Sequence, residues 1–372
     1  MDLKKIFKEA GLIFATTVGA GVFALPFVIN QAGWVLGFAY LLFFAALMTL
    51  VHLLYWRVLV EGGGSKRLLG LVKEKLGRGA YFLALAVFLG GLILALVAYL
   101  LLGGQFLKLL IPGLDFSLGL IIFWLAASLP LLWSLRRIVG AEVLGGIWML
   151  LIIALIFLSE WPLQAIRIVP AFNAENLFLP YGVILFALAG WTAIEPIYDS
   201  YRGHSTGRGF LKRGFQFGLG TFGAALAYLF FVVAILSGAA EVTSDTVSGL
   251  SNWALWKVQV LGFLGILALL TSFWPIGLEI KNLITKDLRW PRGLARGVIL
   301  FLPIALIFLG LKSFLGVVSL VGGVFLALQY FFLVVVGAKV IQARGLKKWG
   351  LYLISLVFLV GAVYEVYYFV LR

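Results

Sequence analysis

Thr16-Thr17-Val18-Gly19-Ala20-Gly21-Val22-Phe23-Ala24-Leu25-Pro26 and Phe186-Ala187-Leu188-Ala189-Gly190-Trp191-Thr192-Ala193-Ile194-Glu195-Pro196 are the two stretches whose reading decides the fold. Each lies inside a long apolar run, and each sets glycine a few residues ahead of a proline. In a helix interior glycine costs about 1 kcal/mol and proline about 3 relative to alanine, so both runs are predicted to break midway. In lipid, broken backbone survives only where it lines a cavity or finds protein partners. Matching interruptions in two halves of a chain point to a binding site at the membrane midplane. Freed amides there suit a carboxylate, and freed carbonyls suit an ammonium or a sodium ion. Glycines also let helices pack closely, but the matched spacing in both halves favours broken helices.

The rest of the chain sets those runs in a membrane. Of its 372 residues, 63% are hydrophobic and 12% are charged, and mean hydropathy is +1.12. A soluble domain carries about 25% charged residues, so lipid must be the solvent for most of this surface. About eleven apolar runs recur, at 10–32, 34–56, 80–107, 117–135, 138–158, 180–200, 214–237, 253–279, 294–311, 315–338 and 349–371. Most reach the ~20 residues that cross a hydrocarbon core. They do not alternate, which argues for helices and against a β-barrel. Span one is too long and too interrupted for a cleaved signal peptide. A short amphipathic helix is expected within 62–79, between spans two and three.

Of the 29 Lys and Arg, only Lys108, Arg167, Lys257, Lys312 and Arg372 fall on one side of the predicted topology. The others cluster on the side of the N-terminus, in groups such as Lys66, Arg67, Lys73, Lys75 and Arg78, or Lys281, Lys286, Arg289, Arg292 and Arg296. The positive-inside rule then predicts a multi-pass cell-membrane protein with a cytoplasmic N-terminus and an extracytoplasmic C-terminus. The same distribution explains the +14 net charge without nucleic acid. There are no cysteines, and His52 and His204 are the only histidines, which excludes disulfides and thiolate or histidine metal clusters. No HExxH or GxSxG occurs, and Gly62-Gly63-Gly64-Ser65-Lys66 fails the P-loop spacing, so an enzyme is not expected and no cofactor is implied.

The two interrupted spans are five apart, which reverses the orientation of the second half. One domain over 1–372 is expected, with inverted repeats at about 10–158 and 180–338 and an extra helix at 349–371. Gly19-Ala20-Gly21-Val22-Phe23-Ala24-Leu25-Pro26 resembles the first-helix signature G-[SA]-G-[VI]-F-x-L-P of the amino acid–polyamine–organocation transporter superfamily. Phe186-Ala187-Leu188-Ala189-Gly190-Trp191 is similar to its sixth-helix segment. Eleven spans, Asn30-Gln31-Ala32-Gly33-Trp34 and Lys75-Leu76-Gly77-Arg78 are most like the amino acid/auxin permease branch.

The resemblance implies an all-α, leucine-transporter-like fold of 5+5 inverted repeats with helices one and six broken. It also implies a site at the two glycine breaks, Gly19 and Gly190. The α-carboxylate of an amino acid would sit on amides near Ala20 and Gly21, beside the Thr17 hydroxyl. The α-ammonium would sit on the carbonyls of Phe186 and Ala189. The Phe186 ring would cover the substrate, and Trp191 would shape the side-chain pocket. In sodium-coupled relatives a Thr-Ser pair in helix eight ligates the ion with carbonyls of helix one, here Thr271 and Ser272 with Ala15 and Val18. Against that, hydroxyls in membrane helices bond back to the preceding turn by default.

Proton-linked relatives differ at two places. Span five carries no Lys or Arg, and Thr192 stands where some exchangers carry a glutamate. Glu195, just past the break, is either a coupling group or part of an ion pair near the cytoplasmic exit. Glu142 and His52 lie near cytoplasmic ends, where snorkelling is cheap. The function implied is a sodium-coupled secondary transporter of amino acids, neutral and apolar from the Phe, Trp, Leu and Ala content near the site. Proton coupling, or an amino-acid sensor on the same fold as in spore-germinant receptor subunits, are the alternatives. The partners implied are a small-molecule amino acid and the lipid bilayer, with oligomeric state open.

Overall fold

The computed structural model describes residues 3–62, 66–132, 141–160, 170–201, 210–239, 241–250 and 253–371. The described residues form helices and turns with no strand. Span one is Leu3–Thr17 followed by a tight turn, Ala20–Ala24, and a second helix, Leu25–Ala32. The two halves bend by 52°. The cause is local: Gly19 is fully extended, at φ −141° and ψ −162°, so the helical ladder stops. Pro26 sits in the first turn of the second half, where its missing amide would have had no partner anyway.

Span six is also interrupted, though its glycine is not extended: Gly190 has φ −102° and ψ 10°. Pro180–Ala187 ends before Leu188–Gly190, a tight turn covers Trp191–Ala193, and Ile194–Asp199 resumes the helix. The remaining spans are Trp34–Glu61, Arg78–Leu110, Phe116–Ser128 with Leu129–Leu132, Ala141–Ser159, Phe210–Gly238, Leu255–Asn282, Arg292–Phe308, Phe314–Val340 and Gly345–Leu371. Among the described residues, eight segments, counting the bent pair as one, are long and apolar enough to cross a membrane. Phe116–Leu131, Val143–Ser159 and Arg292–Phe308 are shorter apolar helices. The short helix expected within 62–79 forms at Leu68–Leu76. Span ten widens to a π turn at Val321–Leu326, where Gly322 meets Gly182 so closely that a Cβ would fall 1.8 Å from the Gly182 carbonyl oxygen.

One end of the bundle is sealed. Phe23 is fully buried, edge-on to Phe106 and Phe231, and its carbonyl accepts the Thr246 hydroxyl at 2.5 Å. The loop before span six closes over the end of span one. Trp34 and Val35 amides donate to Pro170 and Ala171, and the side-chain amides of Asn173 and Asn176 both donate to the Gln31 carbonyl. The turn between spans one and two needs Gly33, whose φ is +97° and whose Cβ would strike Ala171.

His52 departs from expectation. It does not snorkel but is fully buried, its Nδ1 3.3 Å from the Thr221 hydroxyl of span seven. Close packing of spans two and seven puts a polar pair where the sequence position alone placed a helix end. Residues 138–140, expected to start span five, and the side chain of Glu142 lie outside the described parts.

Candidate substrate and ion site

The two breaks face a common cavity of about 380 Å³, within the usual range for small-molecule pockets, roughly 300–1,000 Å³. Span one contributes Ala15 to Gly21, span six Phe186, Ala189, Trp191, Thr192 and Glu195, and spans three, eight and ten complete the wall. The cavity reaches past Thr192 and Glu195 to Pro275, Ile276 and Glu279, toward the end that carries the basic loops. Phe23 and Phe106 are not part of its wall, so it runs away from the sealed end.

The side expected to take a carboxylate is formed by the turn after Gly19. Its first hydrogen bond runs from the Val22 amide to the Gly19 carbonyl at 3.2 Å, so the amides of Ala20 and Gly21 have no carbonyl within the turn. Gly19 itself is open, with an added Cβ meeting only the Tyr99 hydroxyl at 3.5 Å and Thr17 O at 3.9 Å. Gly21 also has a packing role. A Cβ there would lie 2.7 Å from Ala187 Cα, so this glycine holds the two breaks in contact. Gly190 does the same from the other side, with 2.1 Å between an added Cβ and Thr17 Oγ1. The Thr17 hydroxyl is engaged, donating to Ile13 O at 2.7 Å.

On span six, the Phe186 carbonyl accepts the Ala189 amide at a long 3.3 Å, and the Gly190 amide turns to Leu188 O at 2.9 Å. The Phe186 ring lies on the cavity wall against Gly21. Trp191 is braced by Tyr55 and Phe88, with centroids 5.6 and 5.7 Å away. Sequence reading missed the residue that joins these parts. Tyr228 of span seven is fully buried, and its hydroxyl lies 2.7 Å from Thr17 O and 2.8 Å from Ala187 O. One phenol therefore ties both breaks.

At the ion position, Ala15, Val18 and Ser272 line the cavity, while Thr271 is buried just behind. The carbonyls of Ala15 and Val18 lack the usual amides four residues on, because the chain is extended at Gly19 and the Val22 amide turns to Gly19 O. Thr271 donates back to Leu267 O and Ala268 O at 2.8 and 3.0 Å, which leaves its oxygen lone pairs free to accept. Span five enters here as glycine. A Cβ on Gly145 would sit 3.0 Å from both the Thr271 and Ser272 hydroxyl oxygens, and one on Gly146 would sit 3.0 Å from Ala15 O. Any larger residue would fill the space between these oxygens.

Glu195 takes the ion-pair option. It accepts from the Tyr55 hydroxyl and pairs with Arg67 Nε at 3.2 Å, and Arg67 also binds Asp199. The network pins the start of helix Leu68–Leu76 to the second half of span six.

The fold has solved counterparts. The chain is similar to the manganese transporter of Eremococcus coleocola, with a TM-score of 0.68 and 15% identity for a mutant in which one histidine is replaced by alanine, over 96% of this chain and 85% of that one. The same transporter in complex with an aromatic bis-isothiourea substituted compound aligns equally, at 14% identity over the same shares and TM-score 0.68. Mhp1, a nucleobase-cation-symport-1 family transporter solved closed with bromovinylhydantoin, aligns with a TM-score of 0.60 and 13% identity, over 97% of this chain and 90% of that one. At such identity the likeness concerns the leucine-transporter-like fold. No curated protein sequence matches significantly. The family model described as transmembrane amino acid transporter protein matches residues 4–369, and so the chain belongs to that transporter family.

Proposed function

We propose that this protein is a secondary active transporter of neutral amino acids that works by alternating access and uses sodium as its coupling ion. The observation that carries the reading is the pair of breaks facing one cavity, with the amides of Ala20 and Gly21 on one side and the carbonyls of Phe186 and Ala189 on the other. An α-amino acid presents the complementary carboxylate and ammonium. With the basic loops taken as cytoplasmic, the cavity extends toward the cytoplasmic side, which supports an inward-facing conformation. Glu195 and Glu279 stand on that side of the wall and disfavour an acidic substrate.

Sodium is favoured over a proton by the cluster at Ala15, Val18, Thr271 and Ser272. Hard oxygen ligands suit a hard cation, and Gly145 and Gly146 keep the space clear of a fixed positive charge. Glu195, the competing proton carrier, is already held by Arg67 and Tyr55. The test is uptake of each of the twenty amino acids into sealed proteoliposomes, in sodium and in choline at fixed pH. Uptake of neutral amino acids in sodium alone is expected. Equal uptake in both salts removes sodium coupling, and binding without flux makes the chain a sensor.

A further inference from the structure

The wall of the substrate cavity carries a carboxamide that faces the cavity and has no protein partner among the described residues. Gln329 of span ten is only 4% exposed, yet it lines the cavity. Among the described residues its side chain finds no hydrogen bond. Buried polar groups in native proteins are almost always bonded, and one that is not calls for a reason. Here the reason is the cavity, which is where a partner for this amide can arrive.

The setting keeps this amide in place. Its Nε2 lies against Gly91 of span three, 3.0 Å from where a Cβ would stand. Phe325, one turn earlier on span ten, lies over Gly90, where a Cβ would be 2.5 Å from its ring. Two consecutive glycines on span three thus admit the ring and the amide together. Gly91 lies eight residues before Tyr99, about 12 Å along span three, and Tyr99 faces Gly19 at the carboxylate end. Spans three and ten run in opposite directions, and helical side chains tilt toward their own N-termini. Tyr99 and Gln329 therefore lean toward each other across the cavity. A substrate held by its carboxylate at Ala20 and Gly21 would direct its side chain toward Gln329.

We propose that Gln329 reads the end of the substrate side chain, and that the substrates are neutral amino acids ending in a carboxamide or a hydroxyl. A carboxamide offers two donors and one acceptor, which complements those groups and leaves an alkyl end unmatched. The inference rests on the amino acid reading above and narrows it from neutral to neutral and polar.

Matched pairs test it: L-asparagine against L-leucine, and L-threonine against L-valine, with affinity measured for the wild-type protein in detergent. Tighter binding of the polar member by about tenfold is expected in both pairs, the scale of one satisfied hydrogen bond. Gln329→Leu and Gln329→Met should bring both ratios to about one or below while still binding leucine and valine. Two variants are needed because leucine is shorter than glutamine, whereas methionine preserves its length. Wild-type ratios within about twofold would overturn the inference and leave the amino acid reading standing. So would a wild-type ratio kept in either variant. Binding of none of the four would overturn both.

Discussion

Replacing Tyr228 by phenylalanine removes one hydroxyl and leaves the ring, so it isolates the link between the two breaks. The structure sets the size of the effect. The hydroxyl serves Thr17 O at 2.7 Å and Ala187 O at 2.8 Å from a fully buried position. In membrane proteins interhelical hydrogen bonds average only about 0.6 kcal/mol, because freed groups find other partners. That escape is closed here. A continuing helix would give Thr17 O the amide of Gly21, but the chain is extended at Gly19 and turns away. The cost therefore falls in the range for stranded buried acceptors, about 1–3 kcal/mol.

Part of that cost should appear in binding, because the same hydroxyl holds the Thr17 carbonyl just before the turn and so helps to aim the amides of Ala20 and Gly21. A loss of about 1–3 kcal/mol corresponds to about 5–150-fold in affinity. The assay is thermal unfolding of the detergent-solubilised protein with and without saturating substrate, together with substrate affinity. Tyr228→Phe should lower the melting temperature of the free protein and weaken binding at least about fivefold. Wild-type melting and affinity within about twofold would refute the role of Tyr228 as the tie between the breaks.

Gly19→Ala should fold normally and bind substrate at least about tenfold more weakly, whereas Gly21→Ala should lower stability by about 1–3 kcal/mol through overpacking against Ala187; the two are told apart by melting curves beside affinity measurements. Thr271→Ala with Ser272→Ala should erase most of the sodium dependence of substrate affinity, read as the ratio of affinities in sodium and choline, and a ratio equal to wild type would remove these hydroxyls from the ion site. Arg67→Ala should loosen helix Leu68–Leu76 from span six; partly exposed ion pairs contribute about 0.2–1 kcal/mol, so thiol labelling of Thr192→Cys should accelerate at most about fivefold, and no acceleration would mean the network does not guard the cavity. A reporter fused after Arg372 should respond as extracytoplasmic, and a cytoplasmic signal would revise the orientation.

Much of the fold was legible because it depends on local pattern. Apolar runs of membrane length, a glycine a few residues ahead of a proline and the sidedness of Lys and Arg are all read within a short window. The breaks at Gly19 and Gly190 fall where that pattern put them. The roles of the glycines divided less legibly. Gly19 borders open space while Gly21 touches Ala187, and nothing within the motif distinguishes two glycines two residues apart. The difference is made by span six, 166 to 168 positions away in the chain.

Tyr228 and Gln329 escaped for a related reason, and they also mark a signal that could have found them. Tyr228 is the one polar tip in Gly223-Ala224-Ala225-Leu226-Ala227-Tyr228-Leu229-Phe230-Phe231, and Gln329 stands beside Tyr330 in the apolar run Phe325-Leu326-Ala327-Leu328-Gln329-Tyr330-Phe331. A hydropathy scan counts Tyr228 as one aromatic among many, yet its hydroxyl cannot reach the interface from the middle of a span. Lipid offers it no partner, so it must find one in protein. The carboxamide of Gln329 is subject to the same demand. Thr221 in span seven meets it by bonding to Phe217 O and lying beside His52, and Ser319 meets it through Glu365 of span eleven. Tyr228 meets it by joining two broken backbones. Gln329 alone of these four meets no protein partner among the described residues, and it alone lines the substrate cavity, where a ligand can complete it.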